Sequence, residues 1–249
     1  MTLMSFEILI IFSIALFFAS LVHTTIGFGL LLIATPIYAL FTDVQTAILY
    51  LLLPTIIMNI LSIYSSGNFL NTVKKFFPLA ILTTIGTGLG TQILIQFESE
   101  IFKILLAFTI FFYLFSKKLN INYSWINMKP KLSLITFGLG AGIIGGLTNA
   151  IAPFLMIYSL EKKFTKDEII QSSNLCFLFG KFIQLLVFYL NGNLIKEDIT
   201  NSIYMLPIVF ISFYIGIKIR GKINAENYKK IINYLLIIIA SSLIIKSLY

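Results

Sequence analysis

Charge is scarce in this chain. Only 11% of its 249 residues are charged, against about 25% in an ordinary soluble domain. With 58% hydrophobic residues and a mean hydropathy of +0.97, a water-soluble fold is excluded. Cysteine is scarcer still. Cys176 stands alone, so neither an internal disulfide nor a Cys-x-x-Cys redox pair can form. That argues against a thiol-exchange membrane oxidoreductase. Histidine also occurs once, as His23, and no cluster of His, Cys and carboxylate suggests a metal ion. No metal or other cofactor is expected, and no nucleophile–base pair marks an enzyme. The ten acidic residues all fall at segment ends or in loops. A buried carboxylate relay of the kind used by cation pumps is therefore missing, and an anion becomes the favoured cargo.

What is present is a succession of apolar runs near the spanning length of about 20 residues. They imply an all-α polytopic membrane protein. The N-terminus lacks a Lys/Arg-rich start, so the first run is expected to belong to the mature fold rather than to a cleaved signal. A net charge of +8 would suggest nucleic acid in a soluble protein. Here the basic residues sit between spans and read as topology signals, so nucleic acid is not an expected partner.

The first run is interrupted. Segments 5–22 and 26–41 flank a polar knot, His23-Thr24-Thr25, followed by Gly27 and Gly29. A matching interruption lies within 133–160, where Gly138-Leu-Gly-Ala-Gly-Ile-Ile-Gly-Gly-Leu-Thr-Asn-Ala-Ile-Ala-Pro153 runs through an apolar stretch. Uninterrupted helices are expected at about 45–64, 76–96, 101–116, 169–190, 200–219 and 228–247. Further pairs keep the same order in the two halves: Pro36 with Pro153, Phe41-Thr42 with Phe164-Thr165, Tyr64–Phe69 with Tyr189–Leu194, Pro78 with Pro207, and Gly86 with Gly216. Residues 1–117 and 132–249 thus read as two membrane repeats joined by a cytoplasmic linker, 118–131, that carries the only tryptophan, Trp125.

Basic residues decide how the interrupted segments sit. If each goes in and returns, fourteen lysines and arginines collect on one side and three on the other, with Lys181 inside a span. A single crossing leaves no bias. The positive-inside rule selects the first arrangement, with both termini extracytoplasmic. Each half then has five membrane segments, and the odd count inverts the second half relative to the first. The run lengths leave full crossing and a re-entrant hairpin both open, and suit the hairpin slightly better.

Broken helices at membrane depth must line a cavity or be covered by protein. Their free N–H groups suit a small anion. The candidate binding residues at the breaks are His23, Thr24, Thr25, Gly27, Gly29, Gly145, Gly146, Thr148 and Asn149. Lys181, the only lysine deep in a span, could neutralise an anion. Asn59 and Gln184 occupy matching places in the two halves, and Asn174 lies nearby on the same run as Lys181. Close helix packing explains glycines equally well, and an interhelical hydrogen bond could account for the amides.

The sequences HTTIGFGLLLIATP and GLGAGIIGGLTNAIAP, with the later SGNF and NGNL ends, resemble the TauE/SafE family of sulfite exporters over about residues 8–247. The resemblance implies a permease for small sulfur-containing or organic anions, such as sulfite or sulfonates, in a bacterial inner membrane. Its glycine-rich breaks would map onto Gly27, Gly29, Pro36, Gly142, Gly145, Gly146 and Pro153. Lys181 departs from that pattern. The expected function is a secondary carrier acting as an exporter, with a gated anion channel and a non-transport assembly factor as rivals. A small anion and the lipid bilayer are the expected partners, and a homodimer is allowed.

Overall fold

The computed structural model describes residues 6–65, 67, 69–97, 99–116, 123–220 and 225–248. Lys117, Lys118 and Lys222, counted among the basic residues that set topology, and Ser66 and Asn68 of the matched Tyr64–Phe69 stretch lie outside them, as do the side chains of Lys229 and Lys230. The described residues are helical, without a strand.

The first interrupted segment is a long arm and a short one. α1 (Phe6–Ile26) has 21 residues and α2 (Leu30–Ala39) has 10. At 1.5 Å per residue these measure about 31 and 15 Å, so α1 matches a bilayer core of about 30 Å and α2 reaches only half of it. The arms pack on each other. Phe12 stacks on Tyr38 with ring centroids 3.7 Å apart, and the Tyr38 hydroxyl donates to the Phe12 carbonyl at 2.9 Å. The second interrupted segment repeats the shape: α8 (Pro130–Thr148) and α9 (Ala152–Glu161) fold together, with Phe137 against Tyr158. Two unequal arms replace the near-equal runs expected from hydropathy.

Between them lie α3 (Val44–Tyr50), α4 (Leu52–Ser65), α5 (Phe69–Gln96), α6 (Ser99–Phe115) and the short α7 (Trp125–Met128), whose Trp125 rests on Phe137. After α9 come α10 (Lys166–Leu190), α11 (Lys196–Tyr204), α12 (Leu206–Ile219) and α13 (Ala225–Leu248). Five described stretches are long and apolar enough to span, namely α1, α5, α8, α10 and α11–α12 taken together, or six if the bent α3–α4 pair counts as one.

One expected helix is bent, and another carries a one-residue turn within a single span. α3 and α4 meet at a bend of 50° at Leu51. Pro54 has no N–H to give the Tyr50 carbonyl. The Ser202 hydroxyl from α11 donates to that carbonyl at 3.0 Å and accepts from Leu53 N–H at 3.1 Å. In the expected helix 200–219 that turn is Met205, two residues before Pro207. Pro78, matched to Pro207 by sequence, sits instead inside the continuous α5.

The halves share more than order. Gly67 and Gly192, just past α4 and α10, both adopt φ +70°. Each returns its N–H to the tyrosine three residues back, Tyr64 at 3.2 Å and Tyr189 at 3.1 Å. Matching α1 to α8, α2 to α9, α4 to α10, α5 to α12 and α6 to α13 also maps contacts onto contacts. The pair α5–α8 corresponds to α1–α12, and α2–α13 to α6–α9, while α4–α10 and α6–α13 map onto themselves.

The glycine run of the second half is not a break. It stays helical through Thr148, and the chain leaves the helix at Asn149 and Ala150. A Cβ on Gly142 would stand 2.3 Å from the Thr83 carbonyl oxygen, and one on Gly146 would stand 2.4 Å from that of Thr87. Gly86 and Gly90 answer them from α5, at 2.3 Å from the carbonyl oxygens of Leu139 and Ile143. These residues let two backbones touch, the use of small residues typical of membrane helices.

Candidate functional site

α10 links the two breaks. Its residues Asn174, Lys181 and Gln184 are all buried, and Asn174 and Lys181 lie about 10 Å apart along the helix axis, seven residues at 1.5 Å each. Asn174 serves the first break and Lys181 the second.

At the first break Gly27 and Gly29 adopt φ +96° and +136°, a region that favours glycine. Neighbours crowd both: a Cβ would lie 2.2 Å from Ile170 Cγ1 at Gly27 and 2.7 Å from Val22 Cγ1 at Gly29. Asn174 Nδ2 donates to the Gly27 carbonyl at 2.9 Å and to Ile170 O at 2.7 Å. The amide orientation is thereby set, so Asn174 Oδ1 accepts from His23 Nε2 at 2.8 Å. His23 Nδ1 has no partner among the described residues, and the ring is 1% exposed.

At the second break Asn149 takes the left-handed conformation, φ 63°. Its Nδ2 donates to Thr35 Oγ1 on α2 at 3.1 Å, and its Oδ1 accepts from Lys181 Nζ at 2.5 Å. Lys181 Nζ also donates to Gln184 Oε1 at 2.5 Å, and Gln184 Nε2 approaches the Gly146 carbonyl at 3.5 Å. Lys181 is 2% exposed and forms no ion pair among the described residues. An ammonium in this setting costs roughly 2.5–3.5 kcal/mol on insertion scales, and two neutral amide oxygens solvate it without cancelling its charge.

The expected residues therefore divide. His23, Asn174 and the Gly27 carbonyl form one set; Lys181, Asn149, Gln184 and the Gly146 carbonyl form the other. Asn59 on α4 is fully buried, and neither of its amide atoms has a partner among the described residues. The hydroxyl protons of Thr24, Thr25 and Thr148 go to carbonyls of their own helices, Ser20, Leu21 and Ile144. Thr24 further supports the packing of Gly216 and contacts Met58 Sδ at 3.7 Å. Gly145 packs against Ile151 at the turn into α9, and Gly146 packs against α5. Thr35, which joins the two breaks through Asn149, carried no sequence signal beyond preceding Pro36.

An apolar cavity of about 580 Å³ lies against α10. Its lining includes Leu49, Leu52 and Leu53 at the α3–α4 bend, Phe182 and Leu185 on α10, and Ser202. Leu185 is one helical turn from Lys181, so the cavity adjoins the helix that carries both polar sets.

A comparison with protein families matches residues 12–243 to the family described as "Sulfite exporter TauE/SafE". No curated protein and no solved structure matches the chain. A match over nearly the whole length, on an all-α polytopic membrane fold with paired broken segments, places the chain in the sulfite exporter TauE/SafE family of membrane anion transporters.

Proposed function

We propose that the protein is a secondary carrier that exports a small sulfur-containing or organic anion, such as sulfite or a sulfonate, through the cell membrane. The observation that carries this reading is Lys181: a buried lysine whose Nζ is held by two neutral amide oxygens beside a break in the helix pair α8–α9. A positive charge there is costly unless a counter-ion visits it. The paired broken helices and the exchange of contacts between halves support two inverted repeats with the site between them. The distribution of lysine and arginine supports extracytoplasmic termini. In a cell negative inside, each exported negative charge gains about 2.3 kcal/mol per 100 mV, so outward movement needs no coupled ion. The test is sulfite sensitivity of cells lacking the protein, rescued by the wild-type chain but not by Lys181→Met. Equal survival with and without the protein contradicts export of sulfite and shifts attention to sulfonates in the same assay.

A further inference from the structure

Family membership leaves the charge of the cargo open. We infer that the site takes a monoanion, held as a neutral pair with Lys181, and rejects dianions. This inference rests on the anion-carrier reading above and sharpens it.

Among the described residues, Lys181 is the one lysine at the breaks, and protonated it brings a single positive charge there. Lys181 Nζ touches Asn149 Oδ1 and Gln184 Oε1, both neutral, and no carboxylate pairs with it among the described residues. An ammonium has three N–H donors; two are used here, which leaves one for an oxygen of the cargo. His23 is the other group at the breaks able to bear a charge. The two donor bonds of Asn174 Nδ2 orient its amide, so its oxygen meets His23 Nε2 and that nitrogen carries the hydrogen. His23 Nδ1 faces no acceptor among the described residues, so the ring sits as its neutral tautomer.

The other buried charged side chains among the described residues are Lys103 on α6 and Asp198 on α11. Lys103 is paired with Glu100 at 2.7 Å, and Asp198 accepts from the Ile195 N–H at the start of α11. Asn59 offers an unpaired amide, which adds hydrogen bonds but no charge. A bound monoanion therefore leaves a neutral site within the membrane, whereas a dianion leaves one uncompensated negative charge in a low-dielectric interior.

The test uses the full chain in proteoliposomes with radiolabelled sulfite counterflow. Two competitors of fixed charge are compared: methanesulfonate, singly charged, and methanedisulfonate, doubly charged. Methanesulfonate should compete more strongly by about tenfold or more, a factor that corresponds to 1.4 kcal/mol. Raising the pH should lower sulfite flux as hydrogen sulfite ionises, while methanesulfonate flux stays level. Lys181→Gln should abolish the preference, and Lys181→Arg should keep it at reduced flux. Equal competition by the two sulfonates overturns the monoanion assignment but leaves the carrier reading intact. Absence of counterflow with every anion overturns the carrier reading itself. If Lys181→Gln fails to fold, the comparison of competitors on the wild-type chain decides the matter alone.

Discussion

Single side chains do unequal work at the two breaks. Asn174 makes three hydrogen bonds that join α10, α1 and the Gly27 turn. Asn174→Leu strands the Gly27 carbonyl and the His23 N–H, and a buried unmatched group costs about 1–3 kcal/mol. A fall in thermal stability in detergent is the expected result, and an unchanged melting temperature would show that water replaces the amide. Thr35→Val should loosen Asn149 and lower anion affinity, with Thr35→Ser retaining it; equal affinity in both variants would remove Thr35 from the site. His23, Asn149, Asn174, Lys181 and Gln184 were legible in the sequence because polar groups are rare at membrane depth. Thr35 was not, since a threonine hydroxyl can bond its own helix and so draws no notice in an apolar run. The partnership of His23 with Asn174 spans 151 residues, which one sequence alone does not reveal.

Whole helices obey simpler rules, proline and glycine above all. Gly142 and Gly146 bring α8 into backbone contact with α5, while a Cβ on Gly140 of the same helix would meet nothing within 4 Å. Gly140→Ala should be neutral or stabilising by up to about 1 kcal/mol. Gly142→Leu should lose stability by more than the usual cost of overpacking, about 1–3 kcal/mol, because the atoms it meets are backbone. Similar yields of folded protein from both variants would deny the close contact. At the α3–α4 bend, Ser202→Ala leaves the Tyr50 carbonyl and Leu53 N–H unpaired, and a melting temperature below that of the wild type is expected. The glycine-rich run looked like a second break because glycine serves both unwinding and packing. Its spacing of four, at Gly138, Gly142 and Gly146 against Gly86 and Gly90, was the available sign of packing. Pro54 marked a bend of 50° that hydropathy smoothed over, and Pro207 a one-residue turn inside a single span.

Across the molecule, the two halves are alike in contact pattern and unlike in closeness. α5 packs extensively on α10, whereas α12 meets α4 more lightly and the apolar cavity opens beside α4, α10 and α11. A carrier with related halves should exchange the tight and loose sides as it turns over. A cross-link between cysteines placed at Leu53 and Ile199, both on the cavity wall, should therefore stop transport. Undiminished flux in the cross-linked protein would mean that the cavity does not change during the cycle. The paired broken segments were legible from hydropathy. Their long-and-short division was not, because hydropathy reports how apolar a run is and not where its helix ends.

The most direct measurement is sulfite counterflow by the purified chain in proteoliposomes, wild type beside Lys181→Met. A carrier working through Lys181 predicts uptake of labelled sulfite accelerated by unlabelled sulfite inside, and loss of that acceleration in the variant. Flux that is indifferent to internal sulfite, or a Lys181→Met protein that exchanges as well as the wild type, would contradict it.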